Sequence, residues 1–291
     1  MKTTDNHITA IGRSPQFSPN SEKNDRLVLQ EVSNVLRQDG FCVEMVSEDD
    51  IHDASRLRGR MFLSMARRRS VLEILEEKEK DGAVVVNPPS ALLRNTRIYI
   101  TQRLMAEKFA IPASEVLKTG DIPQIGYPLW VKRGEECAQT AGDVCFVENE
   151  SQLQRVWEDF RRRGIGRAVI NRHEEGDLLK FYGVDGTGFF HTCLPTENGG
   201  TGKFGAEAIN GEPHHYRYDR KALEAECSRI SQALGMPVYG GDCIIGSNGG
   251  FRIIDFNDWP SFSRCRTEAA VAIAYLFEAQ CRNNNYSEKT I

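Results

Sequence analysis

The sequence predicts a chain of mixed class, with an α/β region followed by an α+β region. Short apolar strands and amphipathic helices alternate over residues 7–90, which is the pattern of a small parallel sheet with helices packed on it. From residue 95 the alternation gives way to strands separated by turn residues, which is typical of an antiparallel sheet with attached helices. We therefore expect the two regions to fold as separate units.

Apolar periodicity and glycine positions define the elements of the first region. Strands are predicted at 7–11, 41–46 and 83–86, and helices at 27–36 and 70–80. Gly40 and Gly82 follow the two helices, where a left-handed cap is expected. No Gly-x-Gly-x-x-Gly motif follows the first strand, so the alternation alone does not indicate a dinucleotide site.

The second region begins with a helix over 98–109 that ends at the segment IPASEVL. Residues 126–147 predict two strands joined by a loop, and the next helix has Ser151 and Gln154 as a capping box and ends at Gly164. Five further strands are predicted to form one antiparallel sheet, at 168–171, 178–184, 188–194, 238–245 and 251–256. A helix led by Asp219 and a closing helix over 267–281 complete the region.

The composition excludes several classes of protein. The chain has 291 residues, 40% of them hydrophobic and 27% charged, which is the profile of a folded globular protein. A formal net charge of -4 provides no basic field for nucleic acid, and no apolar run approaches the roughly 20 residues that span a membrane. The N-terminus lacks a signal-peptide core, and the eight cysteines show no CxxC or zinc-ligand spacing. We therefore predict a cytoplasmic protein with reduced cysteines and without a nucleic-acid or membrane partner.

Three oxygen-bearing side chains fall on two neighbouring predicted strands. Asp242 lies on the first strand, and Asp255 and Asn257 lie on the second, after the turn signal SNGG. Residues 255 and 257 share one face of a strand, and a short hairpin can bring Asp242 opposite them. Magnesium prefers such oxygen ligands and completes its shell with water and phosphate oxygens. An Asp-x-Asn pair alone more often just ends a strand, so the metal prediction depends on the segments upstream.

Ordered segments between residues 87 and 270 together resemble an ATP-grasp domain, in the branch of the glutathione synthetases and the RimK-like ribosomal-protein glutamate ligases. The segments are RIYITQRLMAEKFAIP, PLWVKR, AVINRHEEGDLLKFYGV, GGDCII and IIDFNDWP. The resemblance implies ATP and Mg²⁺ as cofactors, with Mn²⁺ as an alternative metal. It also implies an N-terminal Rossmann-like, pre-ATP-grasp αβ domain (1–90), a small lid subdomain (91–175) and a C-terminal subdomain with the metal site (176–291).

The resemblance gives roles to the matching charged residues. The two aspartates and the asparagine named above take the positions of the metal ligands. Arg97, Lys132 and Lys180 take the positions of the cations that contact the phosphates. Lys180 is also expected to be catalytic, together with Arg252. A triphosphate requires cations from several directions, so this set is physically consistent.

The same resemblance places the adenine-binding hinge after the strand AVIN. Asn171, Arg172 and His173 correspond to the residues that hold adenine. Glu174 or Asp177 corresponds to the acceptor for the ribose hydroxyls.

These matches imply an ATP-dependent carboxylate–amine ligase, which forms an amide or peptide-like bond through an acyl phosphate. The partners would be a small-molecule or peptide carboxylate and an amine acceptor. Two alternatives stay open, a small-molecule kinase of the inositol-polyphosphate kind and a nucleotide-binding module without turnover. Homodimer formation also stays open. Candidate substrate contacts are all basic: Arg67, Arg68, Lys203, Arg217, Arg264 and Arg266.

One glycine-rich segment is a weaker signal. NGGTGKFG at 198–205 follows Glu197, where a P-loop needs its first glycine, and has Phe204 where a P-loop needs Ser or Thr. We interpret this segment as a mobile, basic loop near the substrate. No Gly-x-Ser-x-Gly motif surrounds a serine, which excludes an esterase of that type.

Overall fold

The computed structural model describes residues 6–135, 140–195 and 209–287. Within these ranges the strands form three sheets of four strands each. The first sheet is parallel, and the second and third are antiparallel. The mixed α/β and α+β class predicted from the sequence is therefore confirmed. No helix in the described ranges is long and apolar enough to cross a membrane.

The first sheet gathers the N-terminal strands. Its elements are β1 (His7–Gly12), α1 (Glu22–Gln38), β2 (Cys42–Ser47), β3 (Met61–Ser64), α2 (Arg69–Lys80) and β4 (Val84–Val86). The strand order is β2-β1-β3-β4. Strand β3 was not predicted, because a short apolar run without alternation does not identify a strand by its period. All four of its residues are buried, as expected for a central strand of a parallel sheet.

The second sheet lies in the middle of the chain. Its strands are β5 (Ser114–Lys118), β6 (Leu129–Arg133), β7 (Val144–Val147) and β8 (Arg167–Arg172), in the order β5-β8-β6-β7. Helices α3 (Pro89–Arg94) and α4 (Arg97–Ala106) precede it, and α5 (Glu150–Arg162) follows β7. One prediction is wrong here, because β8 belongs to this sheet rather than to the last one. Strand β5, most of which lies in the segment IPASEVL, was not predicted.

The capping box predicted for α5 is also wrong. Asn149 is the N-cap, and its side-chain oxygen accepts a hydrogen bond from the backbone N–H of Gln152 at 3.1 Å. Asn caps a helix as well as Ser does, so the helix begins ahead of Ser151. Gly164 follows the helix with a φ of 71°, as predicted.

The third sheet contains the remaining strands, β9 (Asp177–Val184), β10 (Phe189–Cys193), β11 (Val238–Ile245) and β12 (Phe251–Asp258), in the order β10-β9-β11-β12. Helix α6 (Arg220–Leu234) begins after Asp219, whose carboxylate accepts from the backbone N–H groups of Lys221 and Ala222. The last helix, α7 (Arg266–Ser287), lies against α1 and β4 of the first sheet.

A shared core joins the first and third sheets. Phe277 of α7 packs in one apolar cluster with Trp259, Phe262 and residues of β1 and β4. Asn87, directly after β4, is fully buried, and its side-chain amide donates to the carbonyl of Val238 at 2.8 Å and accepts from its N–H at 2.9 Å. The predicted boundaries near 90 and 175 fall between the sheets, and the division into three domains stays a prediction.

Candidate active site

A cluster of acidic and polar side chains lies on one face of the third sheet. Asp242 on β11 pairs in register with Asp255 on β12, and Asn257 lies two residues further on the same face. Asn257 Nδ2 donates to Asp255 Oδ2 at 2.9 Å. On the other side of β11, Lys180 of β9 pairs in register with Asp242, and its Nζ lies 2.9 Å from Asp242 Oδ1. The structure thus brings together the three predicted metal ligands and Lys180.

The close approach of β11 and β12 depends on Gly241. A Cβ atom at this position would collide with the backbone carbonyl oxygen of Asp255. A β-bulge follows directly, between Asp242 and Cys243. Bulges change the direction of nearby side chains and are common beside functional sites. The sheet is therefore irregular at the position where its acidic side chains meet.

Two further cations reach this cluster from other elements. Lys132 of β6 is only 8% exposed, and its Nζ donates to the carbonyl of Ile254, next to Asp255, at 2.7 Å. Arg97 is the first residue of α4, and its Nη1 donates to the carbonyl of Arg133 at 2.8 Å. Cations from α4, β6 and β9 therefore converge on β11 and β12.

Burial and charge together set the protonation of the cluster. Burial raises the pKa of Asp255, but the charges of Arg97 and Lys132 outweigh this effect, so the pKa lies below its ordinary value. Burial also lowers the pKa of Lys132 to about 8, against the opposing effect of Asp255. At neutral pH Asp255 is therefore a carboxylate, and Lys132 is mostly an ammonium ion.

The acidic cluster offers two carboxylates and one amide as oxygen donors. Within the described ranges, no three Asp, Glu, His or Cys side chains are grouped so that they could hold a metal by themselves. Because the amide nitrogen of Asn257 donates to Asp255, its amide oxygen is the atom left for a cation. Magnesium needs only one or two carboxylates, and a cation would offset the repulsion between Asp242 and Asp255. The donor set fits Mg²⁺, and the metal itself stays a proposal.

Two cavities adjoin the cluster. The hinge cavity, of about 250 Å³, lies between the second and third sheets, and its lining includes Trp130, His173, Glu174, Leu178, Lys180 and Asp242. The junction cavity, of about 410 Å³, lies where α2, α3 and α4 meet β12, and its lining includes Arg67, Leu92, Ile100 and Asn257. Both cavities are lined by Arg97, Lys132, Asn171, Ile254 and Asp255. Ligands in the two cavities would therefore meet at these shared residues.

The hinge cavity has an aromatic wall. Trp130 Nε1 donates to His173 Nδ1 at 3.1 Å, and the rings of Phe146 and His173 meet edge-on with centroids 5.1 Å apart. An indole N–H can only donate, so the proton of the neutral His173 imidazole lies on Nε2. Burial lowers the pKa of His173, which favours this neutral form. Asn171, also predicted for the hinge, is buried and donates to Ser114 Oγ at 2.7 Å.

Asp177 and Glu174 differ in what they can offer to a ribose. Asp177 is buried, and its two carboxylate oxygens accept hydrogen bonds from the backbone N–H groups of His214 and Tyr216, at 2.6 and 2.7 Å. Asp177 thus anchors the chain segment that precedes α6. Glu174 lines the hinge cavity, and its backbone oxygen accepts from Asn210 Nδ2 at 3.4 Å. Of the two predicted ribose acceptors, only Glu174 lines the hinge cavity, and the ribose contact itself stays a prediction.

Two of the predicted basic residues have exposed side chains. Arg172 is exposed and lines the hinge cavity, as a hinge residue should. Arg252 is exposed on β12, and its Nη1 donates to the carbonyl of Phe251 at 2.9 Å. Arg252 lines neither cavity, so the structure does not bring this predicted catalytic residue to the cluster.

The candidate substrate contacts are also scattered. Arg67 lines the junction cavity and forms an ion pair with Asp258. The other described candidates lie outside both cavities: Arg68 pairs with Asp49, Arg264 contacts the Pro195 carbonyl, Arg266 contacts Asn24, and Arg217 is exposed. Lys203 and the glycine-rich segment 198–205 lie outside the described residues.

Two residues of the hinge cavity that donate hydrogen bonds there, Trp130 and Asn210, were missed by sequence reasoning. Trp130 lies two residues before Lys132, so the two-residue period of a strand places both side chains on one face of β6. The sequence alone could therefore have placed Trp130 beside Lys132. Asn210 comes from an irregular segment, where no period relates it to the hinge. The contact of Asn210 with Glu174 is seen only in the three-dimensional structure.

The solved structures that are similar to this chain include three proteins described below. The RimK domain ATP-grasp protein from Sphaerobacter thermophilus is 16% identical, covers 92% of this chain and 98% of its own, and has a TM-score of 0.64. The D-alanine–D-alanine ligase from Bacillus anthracis is 12% identical over 97% of this chain and 99% of its own, with a TM-score of 0.67. The D-alanine–D-alanine ligase from Coxiella burnetii is 11% identical over 98% and 97%, with a TM-score of 0.68.

A further structure of the Bacillus anthracis ligase, complexed with ATP, matches with a TM-score of 0.64. No protein-family model and no curated protein sequence matches the chain. The chain therefore has the ATP-grasp fold, with a RimK-domain protein among its structural neighbours, and the predicted resemblance is confirmed. At these identities the likeness defines the fold alone.

Proposed function

We propose that this chain is an ATP-dependent carboxylate–amine ligase, which joins an acid to an amine through an acyl phosphate. The observation that carries the proposal is the convergence of Arg97, Lys132 and Lys180 on the acidic cluster, at the point where two cavities meet. Cations from several directions are what a triphosphate requires. The names of the structural neighbours support the same class of reaction.

ATP would bind with its base in the hinge cavity. The rings of Trp130 and His173 offer an apolar wall for a purine, and Glu174 lies where a ribose hydroxyl would need an acceptor. The phosphates would then point toward Lys132 and Arg97, which belong to both cavities.

Mg²⁺, or Mn²⁺ in its place, would be held by Asp242, Asp255 and Asn257. When bound, such a metal neutralises phosphate charge and orients the nucleotide. The hydrogen bond from Lys180 to Asp242 would fix the direction of that carboxylate, as hydrogen-bond partners of metal ligands commonly do.

The acid would lie in the junction cavity. Its carboxylate oxygen would attack the γ-phosphorus of ATP, ADP would leave, and an amine would then displace phosphate from the acyl phosphate. Phosphoryl transfer of this kind needs alignment and charge neutralisation rather than a nucleophile from the protein. Lys132 and Arg97, at the meeting of the cavities, are placed to supply both.

The proposal is tested by incubating the protein with ATP, Mg²⁺, hydroxylamine and pooled carboxylic acids. We expect acid-dependent release of ADP and phosphate in equal amounts, together with a hydroxamate that contains the acid. Lys132→Ala should lose this turnover. Lys118→Ala, which removes an exposed lysine of the same sheet outside both cavities, should keep it.

A phosphorylated product that is stable to hydroxylamine, formed with ADP but without free phosphate, would contradict the ligase. That outcome would instead support a small-molecule kinase. Tight ATP binding without ADP release from any substrate would support a binding module.

A further inference from the structure

The junction cavity has an aliphatic wall formed by α2, α3 and α4. Leu72, Leu92, Leu93, Ile100 and Leu104 all line it. Leu92, Leu93 and Ile100 are only partly buried, although each packs beside an apolar core cluster. Apolar side chains of this kind retain surface that a bound apolar group would remove from water.

Two hydroxyl groups that line the cavity beside this wall already form hydrogen bonds. Thr96 Oγ1 accepts from the backbone N–H of Tyr99 at 3.2 Å, as the N-cap of α4. Ser114 Oγ donates to the carbonyl of Pro112 at 2.8 Å and accepts from Asn171. A polar ligand body placed against the five aliphatic side chains would lose hydrogen bonds to water, because those side chains offer none in return.

Charged and amide groups meet the same cavity at its border with β12. Arg67 contributes a guanidinium held by Asp258, and Asn257 and Arg97 lie along the same border. A ligand that fits both parts has an anionic end and an apolar body.

We propose that the acid substrate of this protein is amphipathic, with its carboxylate at Arg97 and Arg67 and an aliphatic or other apolar body against the α2–α4 wall. This inference rests on the proposed ligase function, because it names the class of acid that the same site would activate. Small polar amino acids would leave the aliphatic wall uncovered.

The inference is tested with a series of straight-chain acids: acetate, butanoate, hexanoate and octanoate. Turnover is followed as hydroxamate formed with ATP, Mg²⁺ and hydroxylamine. Binding of the same acids is followed by calorimetry in the presence of ADP and Mg²⁺. Each buried methylene should raise kcat/KM and affinity by about fourfold until the cavity is filled.

Variants of the wall should act on the long acids alone. Leu93→Asn keeps the branched shape of the side chain but makes the wall polar, so octanoate should lose about tenfold in affinity while acetate changes little. Leu93→Trp should exclude octanoate by filling the space. The control is Val271→Asn, which replaces an apolar residue of α7 that is 55% exposed and lies outside both cavities. This variant should leave the affinities for octanoate and for acetate unchanged. Thermal unfolding of each variant shows whether it has folded.

The outcomes separate the two proposals. If glycine or aspartate supports turnover and chain length has no effect, the amphipathic substrate is overturned and the ligase stands. If affinity rises with chain length but no acid yields hydroxamate or ADP, the cavity assignment stands and the ligase fails. If no member of the series binds or reacts, the amphipathic substrate is overturned.

Discussion

Asp255 and Asp258 lie three residues apart on β12, and different kinds of partner stabilise their negative charges. Asp258 is bonded directly by two guanidinium groups, those of Arg67 and Arg13, and Arg13 also pairs with Asp25. Asp255 has Asn257 as its hydrogen-bond donor, and its cations, Arg97 and Lys132, act on it as neighbouring charges.

We interpret Asp258 as a structural carboxylate, although it also lines the junction cavity, and Asp255 as a carboxylate placed to meet a ligand. The partners of Asp258 come from the loops after β1 and β3, so the ion network joins the first sheet to the third. The cations around Asp255 also line both cavities, where a phosphate group could reach them. Removing each carboxylate should therefore affect different properties of the molecule.

The largest effect on stability is expected from Asp258→Ala. This change leaves Arg13, whose side chain is 9% exposed, without one of its two carboxylate partners, and breaking a buried ion pair costs about 3–5 kcal/mol. Urea unfolding measures the loss. The control is Asp49→Ala, which breaks the more exposed pair with Arg68 and should cost about 1 kcal/mol or less. Equal losses for the two variants would show that the Asp258 network is not structural.

Asp255→Asn should leave the fold intact and remove turnover. The change preserves the shape of the side chain, but it removes the charge on which the three cations converge. Loss of one such electrostatic group commonly lowers kcat by roughly a hundredfold to a thousandfold. ADP release at saturating ATP and Mg²⁺ measures the effect, and Asn257→Ala should behave alike. Rates equal to those of the unchanged protein would reject the metal assignment.

Lys132→Ala should weaken ATP binding more than adenosine binding. In the proposed binding mode, the Lys132 ammonium group contacts the phosphates of ATP, which adenosine lacks. One charge-assisted contact is worth on the order of 1.5–3 kcal/mol, or roughly ten- to a hundredfold in affinity. Calorimetry with both ligands measures the difference. Equal losses for ATP and adenosine would identify Lys132 as a structural residue that supports β12 through its bond to Ile254.

The local geometry of the acidic cluster could be predicted from the sequence in part, because the hairpin and the strand faces depend on short-range features, whereas the β-bulge was not predicted. The two-residue period of a strand places Asn257 on the same face as Asp255. A turn at 247–250 pairs Ile245 with Phe251, but that register alone would set Asp242 opposite Ile254. The β-bulge after Asp242 shifts the pairing by one residue and sets Asp242 opposite Asp255. The apolar residues of β5 are interrupted by Glu115 and end at Lys118, so its pattern is too weak to identify a strand.

The long-range contacts could not be predicted in this way. Asp177 has a carboxylate that could accept hydrogen bonds from a ribose, but its partners are backbone N–H groups 37 and 39 residues away. Arg13 and Asp258 are separated by 245 residues, and no periodicity relates them. Such pairings depend on how the sheets pack, which a single sequence does not encode in any local pattern.

The smallest effect on ATP affinity is expected from the protonation of His173. This residue lies in the hinge cavity, where the adenine of ATP is proposed to bind. His173 Nδ1 accepts from Trp130, and a proton on that nitrogen would abolish the bond. Burial holds the pKa of His173 below its ordinary value. The hydrogen bond is therefore intact at a pH above the ordinary pKa of histidine, and it is lost as the pH falls through the lowered pKa of His173. One neutral hydrogen bond is worth about 0.5–1.5 kcal/mol, so ATP affinity should fall by roughly two- to tenfold in acid.

This pH dependence can be assigned to a single pair of side chains. Tryptophan fluorescence of the ATP-free protein should titrate in mild acid, and Trp130→Phe should remove that transition because Trp157 and Trp259 are fully buried elsewhere. His173→Gln retains an acceptor but cannot be protonated near these pH values, so its fluorescence and its ATP affinity should stay constant. If His173→Gln titrates as the unchanged protein does, the transition belongs to another group, and the aromatic wall of the hinge cavity does not respond to pH.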